Sequence, residues 1–468
     1  MKKFSAKSSP SKPWINRVEL TDDLLSGRGG LALFTRYLRA LNLAEPLAGW
    51  FGDLRRSAKG RPVAEIFFQV FCFFLDGTSR HLVHFDRLRE DPGYAAVVET
   101  RPQDLLSSHQ VKRFFKAFAL GKALLLRRLL RQLFWWRLKI TKPAVVDLGL
   151  DTMVMDNDEA LVREGVQPTY KKVKGFQPLQ MTWGRFIIDA VFRSGDKHSN
   201  HGTAARDMIR TAVAGIRRHY RAEVPIVVRM DSGFFDQDLF AELDKLEVGY
   251  ICGGKLYNDV TAFAAAAPAR SWRPFRSGKV EWEYLEFGDR RGSWDRFRRA
   301  VFCRLVLDSS GQRRFEFARP DSVIYTNLGQ GRTMDRQLQK AGLAARLTAE
   351  SIVAEYHRRG RDELCHRGLK DFHPEELPFQ RFAPNAAFYY TLLVAFFLAE
   401  TFKEDVCAPV VPLTAYPTTL RRTVIDLAVK VVRHAGQIVL KVSRPAWSAL
   451  RFQRLWKNSA DPPALAWQ

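Results

Sequence analysis

The chain has 468 residues, enough for a large buried core and for two to four domains by length alone. It carries 74 Lys and Arg against 50 Asp and Glu, a formal net charge of +24 that is spread along the sequence. A basic, aromatic-rich chain of this kind indicates a polyanionic partner, most commonly nucleic acid. The five cysteines are scattered without a Cys-x-x-Cys pair, which argues against structural zinc or a disulfide framework and is typical of a reduced cytoplasm.

We expect no membrane association. The longest apolar run, "AAFYYTLLVAFFLAE", ends at Glu400. At about 14 residues it is too short to span a bilayer and predicts a buried core helix. The N-terminal stretch "MKKFSAKSSPSKPW" is basic but has no apolar segment before a cleavage site, so it predicts a flexible arm rather than a signal peptide.

Residues 1–142 are predicted to be a helical N-terminal region that binds DNA. The segment "LLSSHQVKRFFKAF" has a possible N-cap at Ser107 or Ser108. The helix that follows would project Lys112, Arg113 and Lys116. This pattern suits the recognition helix of a helix-turn-helix, and it suits an ordinary amphipathic surface helix equally well.

The pattern changes to strands at Pro143. Residues 143–262 read as three strands, a helix, a strand, a helix and a strand, which predicts a mixed sheet with helices packed on it. Residues 263–328 alternate in strand fashion and predict an all-β insertion. Residues 329–375 return to the core with a helix that carries Glu363, and residues 376–468 are predicted to be a helical C-terminal region for dimerisation and DNA contact.

Acidic residues stand at the ends of two predicted strands. In "VVDLGLDTM", Asp147 and Asp151 point to the same face, two pleats apart. Asp231 ends the apolar run "IVVRMD", and the carboxyl ends of parallel strands are where open α/β sheets place ligands. A single aspartate there is more often a turn former or a helix cap, so each signal is weak alone.

A third acid lies in "EYHRRGRDELCHRGLKDF", residues 355–372. On one helix at about 100° per residue, Tyr356, Arg359, Glu363 and Lys370 would fall within an arc of about 60°. The alternative is a solvated helix face with intrahelical ion pairs, and Gly360 and Gly368 would each cost such a helix about 1 kcal/mol. Three carboxylates from two strands and a helix suit Mg²⁺ or Mn²⁺, and two such ions about 4 Å apart can catalyse displacement at phosphorus.

These residues resemble the DDE transposases of bacterial insertion sequences. The resemblance rests on Asp151 in "DTM", Asp231 in "RMDSGF", and the spacing Tyr-x2-Arg-x3-Glu-x6-Lys at 356–370. It matches the cut-and-paste group that has this Tyr-Arg-Glu-Lys signature and a β insertion before the catalytic glutamate. It covers residues 143–375 clearly and the flanking helical regions more loosely.

The resemblance implies an α/β, RNase H-like core in which Asp151, Asp231 and Glu363 bind two Mg²⁺ or Mn²⁺ ions. Tyr356, Arg359 and Lys370 would contact DNA phosphates. The implied reaction is cleavage at the inverted-repeat ends of an insertion sequence and joining of the 3′-OH ends to target DNA, by a homodimer on paired ends. We expect a bacterial cytoplasmic, nucleoid-associated enzyme. Asp147 competes with Asp151 for the ligand role, and Asp151 is preferred because Thr152 follows it as in the family pattern.

Members of this group often excise through a DNA hairpin, helped by an aromatic side chain that stacks on a flipped base. No motif fixes that residue here; Trp272, Trp282 and Trp294 are candidates, with a place in the hydrophobic core as the alternative for each. His357 and His366 are expected to contact phosphate or solvent rather than metal. Two other functions stay open: a DNA-binding regulator without catalysis, and a structure-specific nuclease on the same fold.

Overall fold

A computed structural model of the chain describes residues 15, 17–55, 60–160, 162–308, 321–358 and 360–467. Residues 360–363 are described as part of a helix, but their side chains are not described. Arg359, the side chain of Glu363 and the strand predicted within 313–320 therefore lie outside the described residues. The α/β class predicted from the sequence is confirmed, with a large mixed sheet and helices packed around it.

The described strands are, in chain order, β1 (Leu24–Ser26), β2 (Val146–Thr152), β3 (Met155–Asp156), β4 (Gln167–Pro168), β5 (Lys174–Phe176), β6 (Leu179–Trp183), β7 (Phe186–Val191), β8 (Ile226–Met230), β9 (Gly249–Gly253), β10 (Arg273–Ser277), β11 (Val280–Asp289), β12 (Arg298–Leu307), β13 (Asp321–Thr326), β14 (Val429–His434) and β15 (Gln437–Val442).

The described α-helices are α1 (Leu31–Ala40), α2 (Ala44–Phe51), α3 (Val63–Asp76), α4 (His84–Arg89), α5 (Pro92–Val97), α6 (Ser108–Lys116), α7 (Leu120–Thr141), α8 (Ala204–His219), α9 (Gln237–Lys245), α10 (Asn258–Ala266), α11 (Thr333–Lys340), α12 (Ala349–His357), α13 (Gly360–Phe372), α14 (Phe382–Phe402), α15 (Pro417–Leu420), α16 (Arg444–Ala449) and α17 (Phe452–Ala460).

The central sheet has the strand order β10-β11-β12-β13-β9-β8-β2-β6-β7. Strands β2, β8 and β9 run parallel, because α8 and α9 provide the connections that return the chain to the same edge. β8 and β9 are buried along their whole length, which explains their continuous apolar sequences. The predicted succession of strands and helices in this part of the chain is therefore found.

The strands predicted as an insertion continue the same sheet. β13 pairs antiparallel with β9, and β12, β11 and β10 follow outward from it. One face of this extension is apolar and packs against α12, with Ile324, Ile352 and Val353 fully buried between them. The insertion is thus a continuation of the core sheet rather than a separate layer.

α14 is the central helix of the helical part. It is long and apolar enough to cross a membrane by length and composition, but 89% of its apolar window is buried inside the protein. Helices α3, α6 and α7 pack around it, and the ring of Phe402 meets those of Phe34 and Tyr37 on α1. The predicted buried core helix is therefore found, and it joins the regions that precede and follow the sheet.

The prediction of a wholly helical C-terminal region is wrong at 429–442. There β14 and β15 form a hairpin, and β1 adds to it as a third strand. The turn consists of Ala435 and Gly436, both with positive φ, as a tight two-residue hairpin turn requires. Alternation in "VKVVRH" and "QIVLKV" is the signal that predicts these strands.

The prediction of one continuous helix over 355–372 is also wrong. α12 ends at His357 and α13 begins at Gly360, so Tyr356 lies on the first helix while Glu363 and Lys370 lie on the second. Gly360 stands at the break because glycine is a poor residue for a helix interior. The shared arc of about 60° calculated for a single helix therefore does not apply across the break.

Candidate active site

Asp151 and Asp231 stand side by side at the same edge of the sheet. β2 and β8 are parallel neighbours, and Leu150 lies opposite Met230. Asp151 and Asp231 each come directly after one of these two residues. Both carboxylates also project to the face covered by α12 and α13, since alternate residues of a strand point the same way. The parallel pairing thus brings together two acids that are 80 residues apart in sequence.

Main-chain N–H groups fix one oxygen of each carboxylate. Oδ1 of Asp151 accepts a hydrogen bond from the N–H of Thr152 at 2.7 Å, and Oδ1 of Asp231 accepts one from the N–H of Gly233 at 2.8 Å. The second bond closes a turn after β8, so the Ser-Gly pair that follows Asp231 orients the carboxylate. Both side chains are therefore held in defined directions at the strand ends.

α13 passes beside Asp151. The imidazole Nδ1 of His366 lies 3.9 Å from Oδ2 of Asp151, and His366 is buried at this contact. Glu363 precedes His366 by three residues on the same helix, which is less than one turn, or about 4.5 Å along the axis. α13, the helix that carries Glu363, therefore lies next to Asp151. His366 packs against Asp151 rather than facing solvent.

Tyr356 covers the end of the neighbouring strand. Its Oη lies so close to Gly253 that a Cβ on that glycine would stand 2.4 Å from the hydroxyl and 3.1 Å from the main-chain N of Ser232. Glycine at position 253 is therefore required by the approach of the tyrosine. The hydroxyl is placed beside the turn that bears Asp231.

Ion pairs attach the α12 segment to the face of the sheet that carries the aspartates. Arg229, two residues before Asp231 and on the same face, has its Nη1 3.6 Å from Oε2 of Glu355. The other Glu355 oxygen accepts from Arg358 at 2.8 Å, at the end of α12. These charges fix the segment that leads into α13.

Asp147 is engaged elsewhere. Both its oxygens accept hydrogen bonds from Arg346, at 2.5 and 3.0 Å. A bidentate pair of this kind is strong and directional. Of the two acids that share a face of β2, Asp147 is thus held by an arginine, whereas Asp151 stands at the strand end beside Asp231.

The predicted DNA-contact residues occupy two places. Lys370 lies on α13, where its Nζ is 2.6 Å from Oε1 of Glu375. On α6, Lys112, Arg113 and Lys116 are exposed while the opposite face packs into the core. Ser107 is the N-cap of that helix and forms a capping box with Gln110, as the sequence allowed.

The three tryptophans considered for base stacking pack within the protein. Trp282 is buried and stacks on Phe275 and on the ring of His357. Trp294 is buried as well, and Trp272 lies under the guanidinium of Arg304 at 4.2 Å. His357, expected to face phosphate or solvent, stacks on Trp282 with one face of its ring and is exposed.

The donor set suits a hard divalent cation. Among the residues whose side chains are described, which do not include Glu363, no group of three or more His, Cys, Asp or Glu is arranged to hold a metal ion. Asp151 and Asp231 supply carboxylate oxygens from adjacent strands, and α13 brings a third carboxylate residue alongside. Carboxylates without thiolates or paired imidazoles favour Mg²⁺ or Mn²⁺ over zinc.

Sequence reasoning missed several residues of this site. Gly253, Arg229 and Glu355 support it, and the only advance signal was the Gly-Gly pair at the end of "VGYICGG". Ser199 was missed too: its Oγ lies 3.4 Å from Oγ1 of Thr152, next to Asp151. It lies in a polar loop that carries no periodic pattern.

The chain is similar in sequence to a family of transposases. The model of the family described as transposase DDE domain group 1 matches residues 17–459. The chain is also similar to piggyBac transposase as seen by cryo-electron microscopy in a synaptic complex with hairpin DNA, at 11% identity and a TM-score of 0.41, covering 85% of this chain and 80% of that one. No curated protein matches the chain. Since the family model spans nearly the whole sequence, the chain belongs to the DDE transposase family and is a DNA transposase.

Proposed function

We propose that this transposase binds the inverted-repeat ends of an insertion sequence, cleaves them by metal-assisted hydrolysis, and joins the freed 3′-OH ends to target DNA. The observation that carries the proposal is the register of β2 and β8, which sets Asp151 and Asp231 side by side at the carboxyl edge of the sheet. α13, which bears Glu363, passes beside Asp151.

Asp151, Asp231 and Glu363 would hold two Mg²⁺ or Mn²⁺ ions. The ions would supply Lewis acidity at the scissile phosphate and lower the pKa of an attacking water or 3′-OH. The chain's own contribution is to fix the carboxylates, through the main-chain bonds to Asp151 and Asp231 and through the packing of α13. A pre-oriented set of ligands avoids reorganisation during the reaction.

The basic residues around the site would bind the DNA backbone. Tyr356, at the turn beside Asp231, would contact a phosphate next to the cleaved bond, together with Arg359 and Lys370. Lys112, Arg113 and Lys116 on the exposed face of α6 would contact the repeat further away. Because many phosphates are neutralised, binding should weaken steeply between about 50 and 200 mM salt.

Joining two ends to one target requires two active sites held together. We therefore propose a homodimer on paired ends as the working form, acting in the cytoplasm of a bacterium on nucleoid DNA.

The test uses purified full-length protein with Mg²⁺ and a labelled duplex carrying the repeats that flank its gene. Denaturing gels should show metal-dependent cleavage at the repeat end, with a slowly migrating band if excision passes through a hairpin. Asp231→Ala and Glu363→Gln should abolish cleavage and keep DNA binding. Asp238→Asn, at an exposed acid on α9, is the matched control and should cleave like the wild type.

Each other result contradicts part of the proposal. If Glu363→Gln still cuts in Mg²⁺, the third carboxylate is another residue. If the wild type binds the repeats but does not cut in Mg²⁺ or Mn²⁺, the protein is a DNA-binding regulator. If it cuts and never joins 3′-OH ends to target DNA, it is a nuclease on this fold. A flat response of binding to salt would contradict DNA as the ligand.

A further inference from the structure

A small basic hairpin lies, in the sequence, between β2 and β6 of the central sheet. After β2 the chain forms a separate sheet of β3, β5 and β4 before it returns in β6. The hairpin of β4 and β5, residues 167–176, is here called the basic hairpin. Its exposed residues are Gln167, Pro168, Tyr170, Lys171, Lys172 and Lys174.

The basic hairpin is attached at the catalytic edge of the sheet. β3 begins four residues after Asp151, and the chain re-enters the sheet in β6, where Gln180 lies opposite Asp151. Lys174 precedes Gln180 by six residues, so its Cα lies at most about 20 Å from that position even if the chain is fully extended. This is about the width of a DNA duplex, and less than one helical turn of it.

A second segment holds the basic hairpin in place. Ser194 forms a bridge with Phe176, and Gly195 packs so tightly that a Cβ would stand 2.2 Å from the carbonyl oxygen of Gln167 and 2.4 Å from that of Gly175. The loop after β7 therefore lies directly on the hairpin, with no room for a side chain at Gly195.

The same loop is fixed to the residues of the active site. Arg193 is buried, and burial lowers the pKa of its guanidinium to about 10. It donates hydrogen bonds to the carbonyl oxygens of Gln177, His198 and Ser199 at 3.1, 3.3 and 3.3 Å. Since the Ser199 hydroxyl touches Thr152, one rigid connection runs from the hairpin to the strand end that carries Asp151.

The acids of this small sheet bond to the main chain instead of neutralising the lysines. Asp158 accepts the main-chain N–H of Lys174 at 3.1 Å, and Asp156 accepts that of Asp158 at 2.9 Å. Within the described residues, no carboxylate forms an ion pair with the ammonium groups of Lys171, Lys172 or Lys174. Three positive charges therefore face solvent on a rigid support beside the site.

We propose that the basic hairpin binds the phosphate backbone of the transposon-end duplex next to the bond that is cut. The inference rests on the proposed function and assigns to it a DNA contact separate from α6 and α13. Exposed lysines without ion pairs give up little on binding phosphate, and each contact releases condensed counterions. The rigid connection to Asp151 would make the hairpin a guide for the DNA strand rather than a loose tether.

The first test compares two variants of equal charge. One carries Lys171→Gln, Lys172→Gln and Lys174→Gln. The matched control carries Lys139→Gln, Lys142→Gln and Lys245→Gln, exposed lysines that precede β2 and β9 and so lie at the opposite edge of the sheet. Affinity for the repeat-end duplex is measured across salt concentrations.

Losing three phosphate contacts should make the slope of log K against log salt shallower by about 2 to 3, since each contributes about 0.9. Affinity of the hairpin variant at low salt should fall, and the control should keep both the slope and affinity of the wild type. Equal slopes for the hairpin variant and the wild type would overturn the inference.

The second test locates the contact. All five cysteines of the chain are buried, so Lys172→Cys introduces one accessible thiol. Duplexes that carry, at a single phosphate, a tether ending in a mixed disulfide should couple to this thiol by thiol–disulfide exchange only within a few phosphates of the cleaved bond. Lys142→Cys is the control and should not couple there. Coupling of Lys172→Cys only to distant phosphates, or only to target DNA, would overturn the assignment.

The two proposals fail in different ways. A wild type that does not bind or cut the repeat ends would overturn the proposed function and this inference together. A wild type that cuts, with a hairpin variant that binds and couples like the control, would overturn the inference alone.

Discussion

The guanidinium of Arg346 binds both carboxylate oxygens of Asp147, at 2.5 and 3.0 Å, four residues before Asp151 on the same strand. The two acids share a face of β2 and are therefore equivalent in the sequence pattern, and the bidentate pair with Arg346 engages Asp147. We expect Asp147 to position the chain and Asp151 to act in the chemistry.

Asparagine at each position tests this division. Asp147→Asn removes the counter-charge of a mostly buried arginine, so the free energy of unfolding should fall by about 1–3 kcal/mol while metal-dependent cleavage is retained. Asp151→Asn should leave stability near that of the wild type and reduce cleavage on the order of a thousandfold, the effect of several kcal/mol lost at the transition state. Urea denaturation measures the free energy of unfolding of each variant, and single-turnover kinetics measure its rate of cleavage. Loss of cleavage in a folded Asp147→Asn variant would reverse the assignment.

A second prediction concerns Glu355, which links Arg229 to the last turn of α12. Glu355→Gln leaves the buried Arg229 with a weaker partner and loosens the segment that leads into Gly360. We expect cleavage to need a higher Mg²⁺ concentration, because the helix that carries the third carboxylate is less well placed.

The control for that variant lies on the same helix. Glu350 accepts a hydrogen bond from the hydroxyl of Tyr284 at the start of α12, away from the break. Glu350→Gln should lower stability without changing the Mg²⁺ requirement of cleavage. If the two variants shift that requirement equally, Glu355 has no particular positioning role.

A third prediction follows from the approach of Tyr356 to Gly253. Gly253→Ala would put a methyl group 2.4 Å from Oη of the tyrosine, so the single variant should be destabilised by about 1–3 kcal/mol. Tyr356→Phe removes that oxygen, and the nearest ring carbon would then be 3.1 Å away. The double variant should therefore lose less stability than the sum of the two single variants, by about 1 kcal/mol, in a denaturation cycle. Strict additivity would mean that the two residues do not touch in solution.

A fourth prediction concerns pH. Burial lowers the pKa of His373 to about 4, from an ordinary value of 6.5, and its Nδ1 lies 2.8 Å from the carbonyl oxygen of Pro374. The folded state therefore disfavours protonation. The stability that depends on a neutral His373 is fully present above pH 6.5 and is lost as the pH falls towards 4.

Between pH 7.5 and 5.5 this loss should amount to about 1 kcal/mol. His373→Gln cannot titrate there, so its free energy of unfolding should fall less over the same range. Urea denaturation of both proteins at several pH values gives the difference directly. Parallel profiles would show that His373 is not the group responsible.

Local patterns in the sequence predict much of the catalytic sheet. Continuous apolar runs predict β8 and β9, and alternation predicts β11 and β12, because burial on two faces or on one leaves a local signature. Pairing between distant segments leaves none. That β13 would dock on β9 depends on which edge is free once the sheet has formed.

The same limit applies to the site. The sequence predicts that Asp151 and Asp231 lie at the ends of strands. It does not predict that Arg346 pairs with Asp147, because Arg346 lies 199 residues further along the chain. Gly360 was the only sequence signal for the break between α12 and α13. It was not decisive, because tertiary packing can offset the helix-propensity penalty of one glycine. Long-range contacts thus decided what local propensity left open.

The three-stranded sheet of β1, β14 and β15 also orders the events of synthesis. Residues 24–26 leave the ribosome first and find their strand partners about four hundred residues later, at 429–431. The early helices likewise await α14, around which they pack. Closure of so long a loop delays folding, and the apolar faces stay uncovered meanwhile. A ribosome that stalls before the last hairpin would therefore release a chain that chaperones must hold or proteases remove, so that only completed translation yields a folded transposase.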